Sequence, residues 1–235
     1  MEQAQPSLST LLSATGFEYK TKREALAVGS FRFELESLAD IDQTIDDLFL
    51  VYQAEGKTEL FEEMCPYFGM LWPAGRVLAE YLARDISRFH GEKKILEIGC
   101  GLAVPSLVLA RHGIGVFATD VHPDVPLFLK RNRELNALRE NEPRFVAIDW
   151  REDRAEGGPW DLILASDVLY DKTQPASLLA FLQRSLRPGG KLILADPGRT
   201  YVQGFFEEAA KNGFSVQTEG LYGVLIGEVT RNVIG

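Results

Sequence analysis

The chain has 235 residues, 46% of them hydrophobic, which is enough to bury one large core. A net charge of −9, from 34 acids against 25 bases, disfavours a phosphate backbone as partner; the basic strings ARHG and LKRNR look like solvated helix faces. The absence of any run of 18 apolar residues excludes a helical membrane span, and three scattered histidines without ligand spacing leave no metal site to propose.

The opening, MEQAQPSLSTLL, lacks a basic head followed by an apolar stretch, so no secretory signal is expected. Two cysteines, Cys65 and Cys100, make no disulfide framework and point to a reducing, cytoplasmic setting. GFEYKTKREALAV and GSFRFELESL read as a β-hairpin, since FRFEL alternates apolar and polar residues. The acidic DIDQTIDDLFLVYQ follows, helical or irregular. Residues 1–65 are therefore read as an N-terminal extension without independent stability, and residues 66–235 as the main domain.

That domain opens with a helix, GRVLAEYLARDISRF, whose Leu78, Tyr81, Leu82, Ile86 and Phe89 share one face. Five short apolar runs follow, KKILEIG, GVFATDV, RFVAIDW, DLILASD and KLILADP, separated by helical segments. This alternation is the signature of a parallel sheet covered by helices on both faces. PASLLAFLQRSL is the clearest helix, with Arg187-Pro188-Gly189-Gly190 as its expected stop. The last two runs, FSVQTEG and GVLIGEVTRNV, have no helix between them and should pair antiparallel. The expected fold class is α/β, a Rossmann-like three-layer sandwich. Its seven-stranded sheet is mostly parallel, with the last strand antiparallel.

The first strand runs into Gly99-Cys100-Gly101-Leu102-Ala103-Val104-Pro105, and Pro105 suits the first turn of a helix. A glycine turn between a first strand and a helix lets a ligand approach backbone N–H groups, although many α/β proteins use glycine there only to turn tightly. Valine at 104 departs from the dinucleotide pattern, which wants glycine or alanine there, and argues against NAD and FAD. Glu97 lies at the strand end, and Asp120 ends the second strand about 20 residues on, where an acid can bind both ribose hydroxyls. These residues suit a nucleoside with a cationic tail.

LEIGCGLA, with Glu97, Gly99 and Gly101, resembles the first motif of class I S-adenosylmethionine-dependent methyltransferases, in which a third glycine often stands where this chain has Ala103. LWPAGRVLAEYL, AIDW and SDVLY narrow the resemblance to the family 16 protein methyltransferases, which are mainly lysine-directed. DPGR, Asp196 to Arg199, is similar to a string of the subgroup acting on the electron-transfer flavoprotein β-subunit. The resemblance implies S-adenosyl-L-methionine as cofactor, with S-adenosyl-L-homocysteine as product. It places Trp72 at the cofactor pocket, Asp149 and Trp150 beside adenine, and Gly99, Cys100, Gly101 and Ser166 along the same cleft. The alternative for Trp150, and more readily for Trp72, is a packing residue, and for DPGR a plain turn.

Asp167 and Tyr170, in LILASDVLY, fall where ligands enter an open α/β sheet, beyond the carboxyl ends of the strands. A lysine acceptor has an unperturbed pKa of about 10.4 and must lose a proton before it can attack. Asp167 is expected to steer its ammonium, and Tyr170 to line the channel with its ring. The reading is therefore methyl transfer to a protein lysine. The alternatives are methylation of a small molecule at nitrogen or oxygen, and a non-catalytic cofactor-binding partner. Oligomeric state is not readable.

Overall fold

The computed structural model of the protein describes residues 7–13, 16–92, 94–139, 142–151 and 158–233. Residues 1–6, on which the reading of the leader partly rests, and Lys93, at the head of the expected first core strand, lie outside them.

Seven strands form the main sheet: β4 (Ile95–Ile98), β5 (Phe117–Asp120), β6 (Arg144–Ala147), β7 (Trp160–Ser166), β8 (Leu186–Asp196), β9 (Phe214–Leu221) and β10 (Val224–Arg231). Their order is β6-β5-β4-β7-β8-β10-β9. The first five run parallel, and β10 inserts antiparallel between β8 and β9. This is the expected sheet, with the antiparallel pair made by the two runs that lack an intervening helix.

Strand side chains alternate between two apolar layers. On one face Leu96, Ile98, Ile163, Ala165, Leu192 and Leu194 meet α5 (Gln174–Ser185) and α6 (Thr200–Lys211). On the other, Ile95, Leu162, Leu164, Ile193 and Ala195 meet α2 (Pro73–Arg84) and Leu109 of α3 (Val104–Arg111). Such two-sided burial explains the nearly continuous apolar runs. The remaining core helix, α4 (Val125–Leu135), follows β5.

Two expected boundaries move. The helix read as GRVLAEYLARDISRF breaks at Asp85, and Ile86–Phe89 forms a 3-10 turn. Arg187-Pro188-Gly189-Gly190 does not make a loop, because α5 passes directly into β8 at Leu186. The glycines instead permit a bulge, opposite a register shift between Trp160 and Leu162. A Cβ on Gly190 would lie 2.9 Å from the Trp160 carbonyl oxygen.

In the N-terminal region the expected hairpin is β2 (Glu18–Val28) and β3 (Phe31–Leu38), turning at Gly29 with φ +56°. A strand that the sequence did not announce, β1 (Ser7–Leu12), pairs antiparallel with β2. The acidic segment is helical: α1 (Ile41–Glu55), capped where Asp40 Oδ1 accepts the Gln43 N–H at 3.0 Å.

The free edge of β3 is closed by side chains, not by another strand. Asn132 on α4 and Asn136, its C-cap residue, each turn an amide onto one β3 residue. Asn132 Oδ1 accepts from Glu36 N at 2.7 Å and its Nδ2 donates to Glu36 O at 3.1 Å. Asn136 makes the same pair with Glu34, at 2.9 and 2.8 Å. Two side chains thus do what a neighbouring strand would do for the edge. Beside them the buried Glu36 carboxylate accepts from Arg23, Arg131 and Thr21. Among the described residues no helix is long and apolar enough to cross a membrane, and no group of three or more His, Cys, Asp or Glu could hold a metal ion.

Candidate active site

The strand order reverses direction at β4, between β5 and β7, so the crevice for a ligand lies beyond the carboxyl ends of these strands. The loops at that end are 99–103 after β4, 121–124 after β5, 167–173 after β7 and 197–199 after β8. Trp72, at the start of α2, and the 3-10 turn Tyr67–Gly69 complete the surroundings.

The glycine loop is tied down from within. Gly99 and Gly101 have φ of +57° and +50°, in the left-handed region where glycine carries no steric penalty. A Cβ on Gly101 would meet the Phe68 carbonyl oxygen at 3.0 Å, and one on Gly99 would meet Val168 Cγ1 at 3.1 Å. The loop therefore passes closely between the Tyr67–Gly69 turn and the residue after Asp167. Ala103 also lies in the left-handed region, with φ +55°, as the N-cap of α3. The departure from a third glycine thus leaves a local strain of about 1–2 kcal/mol.

Glu97 is fully buried and does not reach open space. Its Oε2 accepts the Ser106 N–H at 3.0 Å and also the Ser106 hydroxyl, while Oε1 has no hydrogen-bond partner. Burial raises its pKa to about 8, against the pull of both Ser106 hydrogen bonds. The consequence for ligand choice is direct. A helix N-terminus after a glycine loop normally invites an anion. Here one first-turn amide is given to the protein's own acid, and Pro105 has no N–H to offer. A diphosphate is poorly served, and a ligand carrying a positive charge is not.

Asp120 is bound just as locally. Its Oδ2 accepts the Gly101 N–H at 3.0 Å and its Oδ1 the His122 N–H at 3.1 Å. Each oxygen keeps a second lone pair for a hydroxyl donor. His122 is a neutral wall residue. Its Nδ1 accepts the Asp124 N–H, its Nε2 lies 3.2 Å from the Met64 carbonyl oxygen, and its ring stands 4.2 Å from that of Phe68. Burial lowers its pKa.

On the other side of β4, Asp167 has φ +59°, and its N–H continues the ladder to the Ala195 carbonyl at 3.0 Å. Its side chain is 11% exposed. Oδ1 accepts from Arg199 Nη1 at 2.6 Å, while Oδ2 is buried without a hydrogen-bond partner. Burial raises the Asp167 pKa, and Arg199 pulls it back. The same Nη1 donates to Asp196 Oδ2 at 3.1 Å, and Asp196 Oδ1 accepts the N–H groups of Gly198 and Arg199 at 2.8 and 2.7 Å. DPGR is thus a turn, as its composition allows, and also the device that delivers a guanidinium to Asp167. No feature of the sequence links Arg199 to Asp167, 32 residues away.

The other expected residues separate. Ser166 ends β7, with Oγ 3.4 Å from where a Cβ on Gly75 would stand. Cys100 is 7% exposed, its N–H bonded to the Thr119 carbonyl and its thiol pKa pushed well up by burial. Trp150 is buried in the core layer under α5, and Asp149 is held by Arg151. Trp72 is 40% exposed and donates Nε1–H to the Tyr67 carbonyl at 2.9 Å. Tyr170 is 65% exposed, its N–H taken by Gln174 Oε1.

A family model described as lysine methyltransferase matches residues 59–212. The chain belongs to the lysine methyltransferase family. An electron transfer flavoprotein beta subunit lysine methyltransferase of Xenopus laevis is 31% identical over 61% of this chain and 57% of its own length. A protein N-terminal and lysine N-methyltransferase of Candida albicans, EFM7, is 31% identical over 65% of this chain and 68% of its own length. The chain thus spans little more than half the length of the first of these relatives. Among solved structures, magnesium protoporphyrin IX methyltransferase from Synechocystis with bound SAM aligns with a TM-score of 0.55 at 19% identity, covering 82% of this chain and 98% of that one. RsmC, a T. thermophilus 16S rRNA methyltransferase, aligns at 0.61 and 18%, over 90% of this chain and 51% of its own. At such identities these two likenesses concern the fold.

For this lysine methyltransferase family member, S-adenosyl-L-methionine fits the residues present. The glycine cradle leaves no room for a Cβ at 101, the Ser106 amide at the helix N-terminus is already taken by Glu97, and Asp120 retains acceptor capacity for hydroxyls.

Proposed function

We propose that this chain is an S-adenosylmethionine-dependent methyltransferase whose acceptor is an amine of a protein, a lysine side chain foremost. The observation that carries the reading is the convergence at the switch point of a glycine loop with a first-turn helical amide already taken, the Asp120 carboxylate, and a mostly buried acid, Asp167. The relatives above, named for methylation of protein lysine and, in one case, also of a protein N-terminus, support the same acceptor. Two free thiols, one of them buried, fit a cytoplasmic location.

S-adenosyl-L-methionine supplies an activated methyl group on a cationic sulfur and leaves as S-adenosyl-L-homocysteine. Gly99, Cys100, Gly101 and Ser166 would line its cleft, Asp120 would take the ribose hydroxyls, and Asp149, Trp150 and Trp72 would border adenine and the outer wall. Glu97 fixes the loop from below. The chain needs no nucleophile of its own, so its task is to orient the acceptor and exclude water. Asp167 would draw in the cationic amine and hold its nitrogen in line, with Tyr170 at the rim offering a ring face. The proton leaves to water, since a carboxylate that binds an ammonium also retains its proton.

Residues 1–65 belong to this unit as an extension of 66–235. The Asn132 and Asn136 pairs with β3, and the Tyr19 hydroxyl on Asp124 Oδ2 at 2.8 Å, support that division. Coincident unfolding curves by circular dichroism and tryptophan fluorescence would bear it out; two separated transitions would sink it.

The test of function is incubation of methyl-tritiated S-adenosylmethionine with a host lysate, resolved into a protein gel and a small-molecule fraction. A discrete labelled band with wild type, lost with Asp167→Ala, supports the reading. Label confined to small molecules overturns the protein acceptor.

A further inference from the structure

We infer that Arg199 is a positioning residue for the acceptor: shared between two acids, it leaves the end of β7 and β8 with one net negative charge for a single amine. The inference rests on the reading of an amine acceptor and adds the residue that tunes its site.

Asp167 follows Ser166, which is paired with Ala195, and Ala195 precedes Asp196. Two acids therefore end neighbouring strands. Left alone they would repel, and one would hold a proton. Arg199 Nη1 resolves the conflict by donating to both, at 2.6 Å to Asp167 and 3.1 Å to Asp196. The two acids are not equivalent afterwards. Asp196 is fully buried and wholly committed: its Oδ1 takes two amides of its own turn and its Oδ2 takes the guanidinium. Asp167 gives Oδ1 to the guanidinium and has one backbone amide, that of Ala74, beside its carboxylate.

The turn itself explains how Arg199 gets there. Asp196 binds the two amides, Gly198 reverses the chain at φ +88°, and Arg199 caps α6 with its side chain directed back across the strand ends. The charged groups that act on Asp167 are Arg199 and Asp196, both from this turn; α2 contributes the Ala74 N–H, which also favours the charged form. With Arg199 present the three side chains sum to −1, which matches one ammonium. Without it they sum to −2, or they keep a proton. In the first case the acceptor's own proton is held more tightly; in the second Asp167 no longer attracts the amine. Both move the acid limb of the pH–rate profile in the same direction, upward.

The experiment compares wild type, Arg199→Met and Arg199→Lys. Carboxyl-carbon NMR follows the titration of Asp167, assigned with Asp167→Asn, and tritium transfer to the labelled lysate protein is followed against pH. In Arg199→Met the Asp167 midpoint and the acid limb of the rate should both rise by about one pH unit or more. KM for the protein acceptor at neutral pH should rise about tenfold, with kcat at the alkaline plateau retained. Arg199→Lys keeps the charge and should return both midpoints toward wild type; it also carries the test if the methionine variant does not fold. An unmoved Asp167 titration in Arg199→Met, a rate loss equal at every pH, or a shifted limb in Arg199→Lys would overturn the inference. If wild type labels no protein, the functional reading falls, while the carboxyl titration still decides whether Arg199 governs Asp167.

Discussion

The two halves of the crevice, on either side of β4, are built from the same materials in opposite ways. On the β5 side, Glu97 and Asp120 are anchored by N–H groups from within about twenty residues of chain: Ser106, Gly101 and His122. On the β7 side, the hydrogen bond that holds Asp167 Oδ1 comes from a side chain 32 residues away. Backbone amides are fixed by the fold and cannot let go, whereas a guanidinium that is 32% exposed can be re-aimed. A cofactor that must be bound in one pose suits the first construction. An acceptor that must enter, react and leave as a larger group suits the second.

The comparison breaks most visibly at Asp167. Asp167→Ala should lower methyl transfer about a hundredfold or more while calorimetry finds cofactor affinity within a fewfold of wild type, because only the acceptor half is touched. A parallel loss of cofactor binding would show that the halves are not separate.

A converse result is expected from Gly101→Ala. Its Cβ would press on a backbone oxygen, that of Phe68, at a φ of +50°, and backbone cannot yield as a side-chain tip can. Cofactor affinity should fall by about tenfold, the equivalent of roughly 1.4 kcal/mol, and acceptor KM should move less. Calorimetry and steady-state kinetics on one preparation would separate the two.

The pH dependence of stability sharpens the contrast further. Glu97 has a folded-state pKa raised to about 8 by burial, above its ordinary value. Between its unfolded and folded pKa the native state holds a proton that the unfolded state has lost, so this group makes stability fall as pH rises across that window. Urea unfolding of wild type at pH 5, 6.5 and 8 should show the decline, and Glu97→Gln should flatten it. Equal slopes in both proteins would mean that Glu97 stays ionised.

The smallest effect is expected at Ala103. Ala103→Gly relieves a left-handed alanine at the N-cap of α3 but adds freedom to the unfolded chain, so the net gain should be at most about 1 kcal/mol, read as a slightly higher urea midpoint. Cofactor affinity should stay within twofold. A clear destabilisation would mean that the alanine methyl packs more than its backbone strains.

Much of this was legible in the residues themselves. Strands buried on both faces must be apolar throughout, so KKILEIG and DLILASD announced themselves, and the missing helix before GVLIGEVTRNV announced the antiparallel insertion. Local devices were legible for the same reason: Pro105 in the first turn of α3, and glycine at the positive-φ positions 99 and 101. Where the reading slipped, a distant partner decided. Arg187-Pro188-Gly189-Gly190 is a stop signal on its own, but the backbone of Trp160 and Asp161 lies close enough to Gly190 to draw it into β8. β1 carries no signature strong enough to stand out, because a strand at a small sheet's edge is defined by the neighbour it pairs with.

The sequence by itself determined the order of elements, the crevice end of the sheet and the residue types that face it, since these follow from short-range periodicity and turn chemistry. Only the tertiary structure decided which acid meets which donor. Glu97 accepts from Ser106 below the glycine loop, Trp150 packs in the layer under α5, and Arg199 pairs with Asp167. Pairings of this kind depend on two strand ends being brought side by side. That separation along the chain carries no periodicity, and only the packed sheet imposes it.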